Sequence, residues 1–180
     1  MSKKKKPARQ AKGRSGKKKA APKTAKKVSP VPKGYHTVTP YLVFRGAAQA
    51  IEFYKKAFGA KELLRMPAPD GSVAHAELQI GDSRVMVGDE NPDQGARAPQ
   101  TIGGTCVHIF MYVPNVDKLF AQATGAGATA EMPPTDMFWG DRYCKLQDPF
   151  GHKWNLATHT EDLSEKEMAR RAQAAFAAPS

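Results

Sequence analysis

Phe138-Trp-Gly-Asp-Arg-Tyr-Cys-Lys-Leu-Gln-Asp-Pro-Phe-Gly-His-Lys-Trp-Asn-Leu-Ala-Thr-His159 is the stretch on which the fold turns. It predicts two strands joined by the turn Asp148-Pro149-Phe150-Gly151. Proline presets φ at the second turn position and glycine accepts φ > 0 near the end. The flanks are crowded with Trp, Tyr and Phe, the composition of a half-buried β surface.

Outward from this hairpin, the chain reads as an earlier copy of the same unit. Strand alternation runs from Thr37 to Phe44, with Pro40 marking an edge or a break. Ala47, Ala50, Ile51, Tyr54 and Phe58 fall at helical spacing, and Gly59 ends the helix as a C-cap. A strand over Lys61–Met66 follows, closed by Pro67-Ala-Pro-Asp-Gly71. Ser72 to Ile80 and Ser83 to Gly88 alternate about a Gly81-Asp82 turn, a strong hairpin signal. After a Gly/Pro-rich connector the order repeats. A strand spans Cys106 to Val113, Asn115 caps a helix that ends at Gly125-Ala-Gly127, and a short strand is broken by Pro133-Pro134. Phe53-Tyr54 matches Leu119-Phe120, Gly59-Ala60 matches Gly127-Ala128, and Met66-Pro67 matches Met132-Pro133, at offsets of 66 to 68. The prediction is an α+β fold of two tandem βαβββ modules, over about residues 36–90 and 104–160. Ser164 with Glu167 is a capping box opening a terminal helix within residues 161–180.

The 180 residues carry a net charge of +11, but that excess is local. Of 28 Lys and Arg, fourteen lie in residues 1–33, which have no Asp or Glu; the rest of the chain holds fourteen basic against seventeen acidic residues, a net of −3. Residues 1–33 offer almost nothing to bury and are expected to be a disordered tail preceding a folded body at 34–160. Residues 3–33 suit weak, non-specific contact with nucleic acid through counterion release; with no aromatic residue before Tyr35 they lack stacking platforms. Cys106 and Cys144, 38 residues apart, match no metal-ligand spacing and are expected to be buried free thiols, which fits a cytoplasmic protein. The longest apolar run, Cys106 to Val113, is far short of a membrane span.

Five segments carry a family likeness: Thr39-Pro-Tyr-Leu-Val-Phe44, Ala50-Ile-Glu-Phe-Tyr-Lys-Lys-Ala-Phe-Gly59, His75-Ala-Glu-Leu-Gln-Ile-Gly81, Phe138-Trp-Gly-Asp-Arg-Tyr143 and Asp148-Pro-Phe-Gly-His-Lys-Trp154. Together they resemble the vicinal oxygen chelate superfamily, which covers glyoxalase I, extradiol dioxygenases and bleomycin-resistance proteins, and are most similar to its PhnB-like subgroup. The resemblance implies curved mixed sheets around a small-molecule pocket, helices outside, and a homodimer. In metal-using relatives, ligands come from the first and last strand of each module. Those places fall on Thr39, His108 and Asn155, with Asp89 and Glu90 nearest the fourth. Asn155 stands where the metal-using pattern has Glu.

The residues themselves leave several roles open. His75, Glu77 and Gln79 share one strand face. His75 and Glu77 with His108 make a two-His, one-carboxylate set for a divalent metal; the alternative is a hydrogen-bonded polar network with no metal. His108 is then a base or a pocket histidine. Tyr41, Phe110, Phe138 and Trp139 suit a pocket wall for a flat or apolar molecule, or a core. Arg142 on such a wall is a fork for a carboxylate or phosphate, or the partner of Asp141 or Asp148. Gly125-x-Gly127 follows a helix and lacks the third glycine of a nucleotide loop. Three functions fit: metal-assisted lyase, isomerase or dioxygenase chemistry, metal-free sequestration of a small molecule, or nucleic-acid association through the tail.

Overall fold

In the computed structural model, which describes residues 28–177, Asp148 to Gly151 form the expected turn. Gly151 N–H donates to Asp148 O at 3.1 Å, and Gly151 adopts φ +90°. The Asp148 side chain is buried at 3% exposure and gathers four donors. Oδ1 accepts from Phe150 N and His152 N, both at 2.9 Å, and Oδ2 from Tyr54 Oη at 2.6 Å and Trp154 Nε1 at 3.1 Å. One carboxylate thus ties the closing hairpin to a helix of the first module. Burial, and then the Asp148 charge, push the Tyr54 phenol well above its usual pKa.

The first module runs β1 (Tyr41–Phe44), α1 (Ala47–Phe58), β2 (Lys61–Pro67), β3 (Val73–Ile80) and β4 (Ser83–Asp89). A 3₁₀ turn (Pro92–Gln94) and the short α2 (Pro99–Ile102) occupy the connector. The second module is β5 (His108–Tyr112), α3 (Val116–Gly125), β6 (Thr129–Asp136), β7 (Asp141–Gln147) and β8 (Lys153–His159), followed by α4 (Glu165–Ala177). The two sheets have matching orders, β1-β4-β3-β2 and β5-β8-β7-β6. In each, the first strand pairs parallel to the last and the other pairings are antiparallel. The α+β double βαβββ fold is as the repeat predicts.

The repeat extends to how each helix start is satisfied. Asp89, ending β4, accepts from Gly46 N at 2.9 Å and Ala47 N at 2.7 Å, and through Oδ2 from Val73 N at 2.7 Å. Near the end of β8, Thr158 Oγ1 accepts from Val116 N at 2.8 Å. Both supply the acceptor that a helix N-terminus needs. Glu90 is occupied as well, accepting from Ala98 N at 3.1 Å and Thr101 Oγ1 at 2.5 Å, with Arg45 at 3.3 Å.

The core is one continuous cluster through both modules, on the helix-bearing faces of the sheets. Its fully buried members include Phe44, Ile51, Tyr54, Leu78, Leu146, Trp154 and Leu156. Tyr54 and Phe58 meet Trp154 at ring-centroid distances of 5.4 and 4.5 Å. Gln122 Nε2 donates to Lys56 O at 2.9 Å and Ala57 O at 3.1 Å, using carbonyls that the end of α1 leaves unpaired. Each sheet therefore has one face sealed by helix and one face open.

Several boundaries differ from expectation. β1 begins at Tyr41, not Thr37, so Thr39 lies ahead of the strand, its Oγ1 donating to His36 O at 3.3 Å. β5 begins at His108, not Cys106, because Thr105 Oγ1 both accepts from Val107 N and donates to Val107 O at 3.1 Å, bending the chain locally. Cys106 is consequently exposed, against the expectation of two buried thiols; Cys144 is buried. β6 continues through Pro133-Pro134 instead of ending there. It is an edge strand, and the prolines fall in a register shift between Met132 and Thr135, where no ladder donor is needed. α4 has no buried residue and is held by a Phe138–Phe176 ring contact at 5.6 Å and an Arg171–Glu161 ion pair at 2.8 Å. No helix among the described residues is long and apolar enough to cross a membrane. The tail expected over residues 1–33, and its nucleic-acid contact, lie almost wholly outside the described residues.

Candidate functional site

Strand alternation and the β7–β8–β5 register assemble the open face of the second sheet. Three rows run across it: Gln147, Lys153 and His108; Lys145, Asn155 and Phe110; Tyr143, Ala157 and Tyr112. Residues opposite one another in a ladder share a face, so His108, Phe110 and Asn155 lie on the same face of the sheet. At the Tyr143 end of the face Trp139 joins an aromatic group. Phe110 lies 5.0 Å from Tyr112 and 5.9 Å from Tyr143, and Trp139 lies 5.7 Å from Tyr143. Phe138 stands edge-on to Trp139 at 5.0 Å and contacts α4.

A buried carboxylate, expected from the sequence only as a partner for Arg142, organises this aromatic end. Asp141 is 3% exposed. Its Oδ2 accepts from Tyr112 Oη and Trp139 Nε1, both at 3.0 Å, and its Oδ1 stands 2.7 Å from His159 Nδ1. His159 Nε2 reaches Asp162 at 3.0 Å. Hydrogen bonds to Asp141 and then Asp162 raise the His159 pKa above its usual value, and the bond to Asp141 raises that of Tyr112. Asp141, Tyr143 and Lys145 were visible to a period-2 reading from Trp139. The pairings of β7 and of β5 with β8, which set them on one face with β5, were not.

Along β5 runs a cleft of about 990 Å³. The first module contributes Val38, Pro40, Phe58 and Val85, and the second contributes residues 109–113 and Leu119. Phe110 and Tyr112, 46% and 62% exposed, belong both to the cleft wall and to the aromatic face. The two features are continuous across β5.

Other candidates are placed elsewhere. Arg142 alternates onto the helix side, where Nε and Nη2 clasp Asp117 at 2.7 Å and Nη1 meets Asp136 at 3.0 Å. Its fork fastens the first turn of α3, and its partners are neither a ligand-facing wall nor Asp141 or Asp148. On the open face of the first sheet, His75 Nε2 lies 3.7 Å from Glu77 Oε1, and Arg84 Nη1 lies 3.6 Å from Glu77 Oε2. Tyr35 stacks beneath Arg84 at 5.3 Å, and its hydrogen bond to Glu77 raises its pKa. Tyr41 packs 5.8 Å from the His75 ring. Glu77 is thus held in a polar network.

The donor set does not fit the metal of metal-using relatives. Among the described residues, no group of three or more His, Cys, Asp or Glu side chains is placed to hold an ion, so His75, Glu77 and His108 do not converge. Thr39 precedes its strand, Asp89 and Glu90 are engaged as acceptors, and Asn155 offers an amide. Asn155 Oδ1 is nevertheless buried with no hydrogen-bond partner among the described residues.

Comparison with known proteins accords with this architecture. The chain is 43% identical over 134 residues to an uncharacterized protein of Mycobacterium bovis, covering 73% of this chain and 88% of the relative. The crystal structure of TioX from Micromonospora superposes with a TM-score of 0.56 at 32% identity, over 67% of this chain and 96% of TioX. A glyoxalase/bleomycin resistance protein/dioxygenase from Nocardioides shares the fold at a TM-score of 0.56 and 19% identity, over 77% of this chain and 90% of its own. The family model of the Glyoxalase/Bleomycin resistance protein/Dioxygenase superfamily matches residues 36–156, and the chain belongs to that superfamily.

Proposed function

We propose that this protein binds a small, flat, largely apolar molecule in the cleft along β5, with the ligand resting against the Phe110, Tyr112, Tyr143 and Trp139 rings. The observation that carries this reading is the cleft itself, about 990 Å³ and walled mainly by apolar side chains from both modules, with His36, Asp82, Asn115 and Lys118 among its polar lining. That is the upper end of the roughly 300–1,000 Å³ typical of small-molecule sites. Binding of this kind needs no metal ligand set, in keeping with the amide at Asn155 and the dispersed histidines. Placement in the PhnB-like subgroup belongs to the same proposal and rests on the five quoted segments. So does the homodimer: Val107, Leu64 and Met66, each more than 40% exposed, are apolar surface a second copy can cover, and light scattering on the full chain tests it.

A neutral aromatic probe, naphthalene-2-carboxamide, tests the site. Titration followed by ¹H–¹⁵N NMR should move amides of residues 109–113, Trp139 and Tyr143. Replacing Phe110 by Ala should weaken binding by about tenfold, the value of a lost aromatic contact. Absence of binding at millimolar probe, or shifts confined to other surfaces, refutes the proposal.

A further inference from the structure

We infer that the cleft ligand carries an in-plane amide, a hydrogen-bond donor directly beside an acceptor as in a lactam, and that the free backbone edge of β5 selects for it; this rests on the binding reading above. β5 is an edge strand, paired only to β8. The cleft follows that edge: every residue from Ile109 to Asn115 lines it, whichever face of the sheet its side chain takes.

The ladder fixes which backbone groups face the cleft. Val113 N donates to Ala157 O at 2.8 Å, so the N–H and C=O of Val113 point toward β8. In a strand these groups reverse direction at each residue. Ile109 and Met111 therefore also bond β8, while the N–H and C=O of Phe110 and Tyr112 point outward into the cleft. None of those four groups has a hydrogen-bond partner among the described residues. The next outward position is Pro114, which has no N–H to offer. Within the cleft the edge thus ends after two donors, too short a run for an added strand and enough for one amide. Phe110 C=O and Tyr112 N–H flank Met111, an acceptor and a donor aimed to the same side. Their complement is a donor beside an acceptor in one plane. Val38, Pro40 and Val85 of the first module and Leu119 of α3 supply apolar walls. A ligand seated there displaces water from the edge, and backbone groups cut off from water need another partner. The Phe110 and Tyr112 rings, 5.0 Å apart, rise from the same two residues and hold the flat body whose polar edge the backbone reads.

Two probes of the same ring system separate the amide edge from shape: quinolin-2-one, a lactam, and 2-methoxyquinoline, which has no N–H, titrated calorimetrically into the full chain. The wild-type protein should prefer quinolin-2-one by about tenfold, the worth of one added hydrogen bond. In ¹H–¹⁵N spectra the Tyr112 amide proton should move downfield on adding it. A backbone ester at Tyr112, with the N–H replaced by oxygen and the side chain kept, should erase the preference. It should leave thermal stability unchanged, because that N–H holds no ladder bond. Equal wild-type affinity for the two quinolines, a preference that survives the ester, or failure of both quinolines where naphthalene-2-carboxamide binds overturns the amide assignment and leaves the site standing. Failure of all three probes to bind overturns the site and this inference with it.

Discussion

Removing the Asp148 carboxylate is the most informative perturbation of the fold, because one side chain joins three elements. In Asp148→Ala, four donors lose their acceptor: Phe150 N, His152 N, Tyr54 Oη and Trp154 Nε1. The last two belong to side chains whose residues are at most 1% exposed, so water cannot replace the bond there. A buried donor left unpaired costs about 1–3 kcal/mol, and the partly exposed Phe150 N–H recovers much of its loss from solvent. The expected destabilisation is about 4 kcal/mol, within the range in which breaking a buried network stands out among point mutations. For a domain of this size that corresponds to a fall in Tm of about 8–16 °C. Asp148→Asn keeps the acceptor for the two backbone groups and can still bond Tyr54, but it sets N–H against the Trp154 indole. It should lie between wild type and Ala, at about 2 kcal/mol. Tyr54→Phe, combined with Asp148→Asn, should be less than additive, since both act on one bond. Urea unfolding followed by tryptophan fluorescence and far-UV circular dichroism measures all four variants. A loss of less than about 1 kcal/mol in Asp148→Ala, or an Asn variant weaker than the Ala variant, refutes the view that this turn is held by its buried carboxylate.

His159, raised above its usual value of 6.5 by Asp141 and Asp162, stabilises the folded state as the imidazolium. Its contribution is full below pH 6.5 and is lost as pH rises through the higher folded value. An NMR titration of His159 should therefore show a midpoint above 6.5, and His159→Gln should flatten the fall in Tm over that interval. The Cys144 thiol is pushed up to about 11 by burial, whereas Cys106 is exposed. At pH 8 a thiol reagent such as Ellman's should label one cysteine per folded chain and two after denaturation, with Cys106→Ser abolishing the fast reaction. Gly140 adopts φ +92°, and a Cβ there would stand 2.5 Å from Glu161 O. Gly140→Ala should cost about 1–3 kcal/mol and loosen the 160–164 connection to α4, seen as faster proteolysis there.

Local chemistry made much of the fold legible. Gly81-Asp82 and Asp148-Pro149-Phe150-Gly151 are turns whose residues dictate their geometry, and α1 ends where Gly59 adopts φ +65°. Pro133-Pro134 misled because proline forbids a central strand and not an edge, and only the sheet order shows that β6 is an edge. Arg142 was grouped with the aromatic wall although period-2 alternation turns it away from Tyr143; here the pattern was readable and was outweighed by proximity in sequence. His108, Phe110 and Asn155 share a face because β5 pairs with β8, a parallel contact spanning the whole second module.

By itself, then, the sequence determined the repeat, the element types, the turn geometries and the family, because each depends on neighbours within a few residues or on self-similarity. The tertiary structure alone decided which carboxylates work as structural acceptors, Asp89, Asp141 and Asp148, and that Asn155 Oδ1 is buried without a hydrogen-bond partner among the described residues. Those roles depend on strand register and burial. A one-residue slip in register would send every one of these side chains to the opposite face, and no local pattern along the chain records that choice.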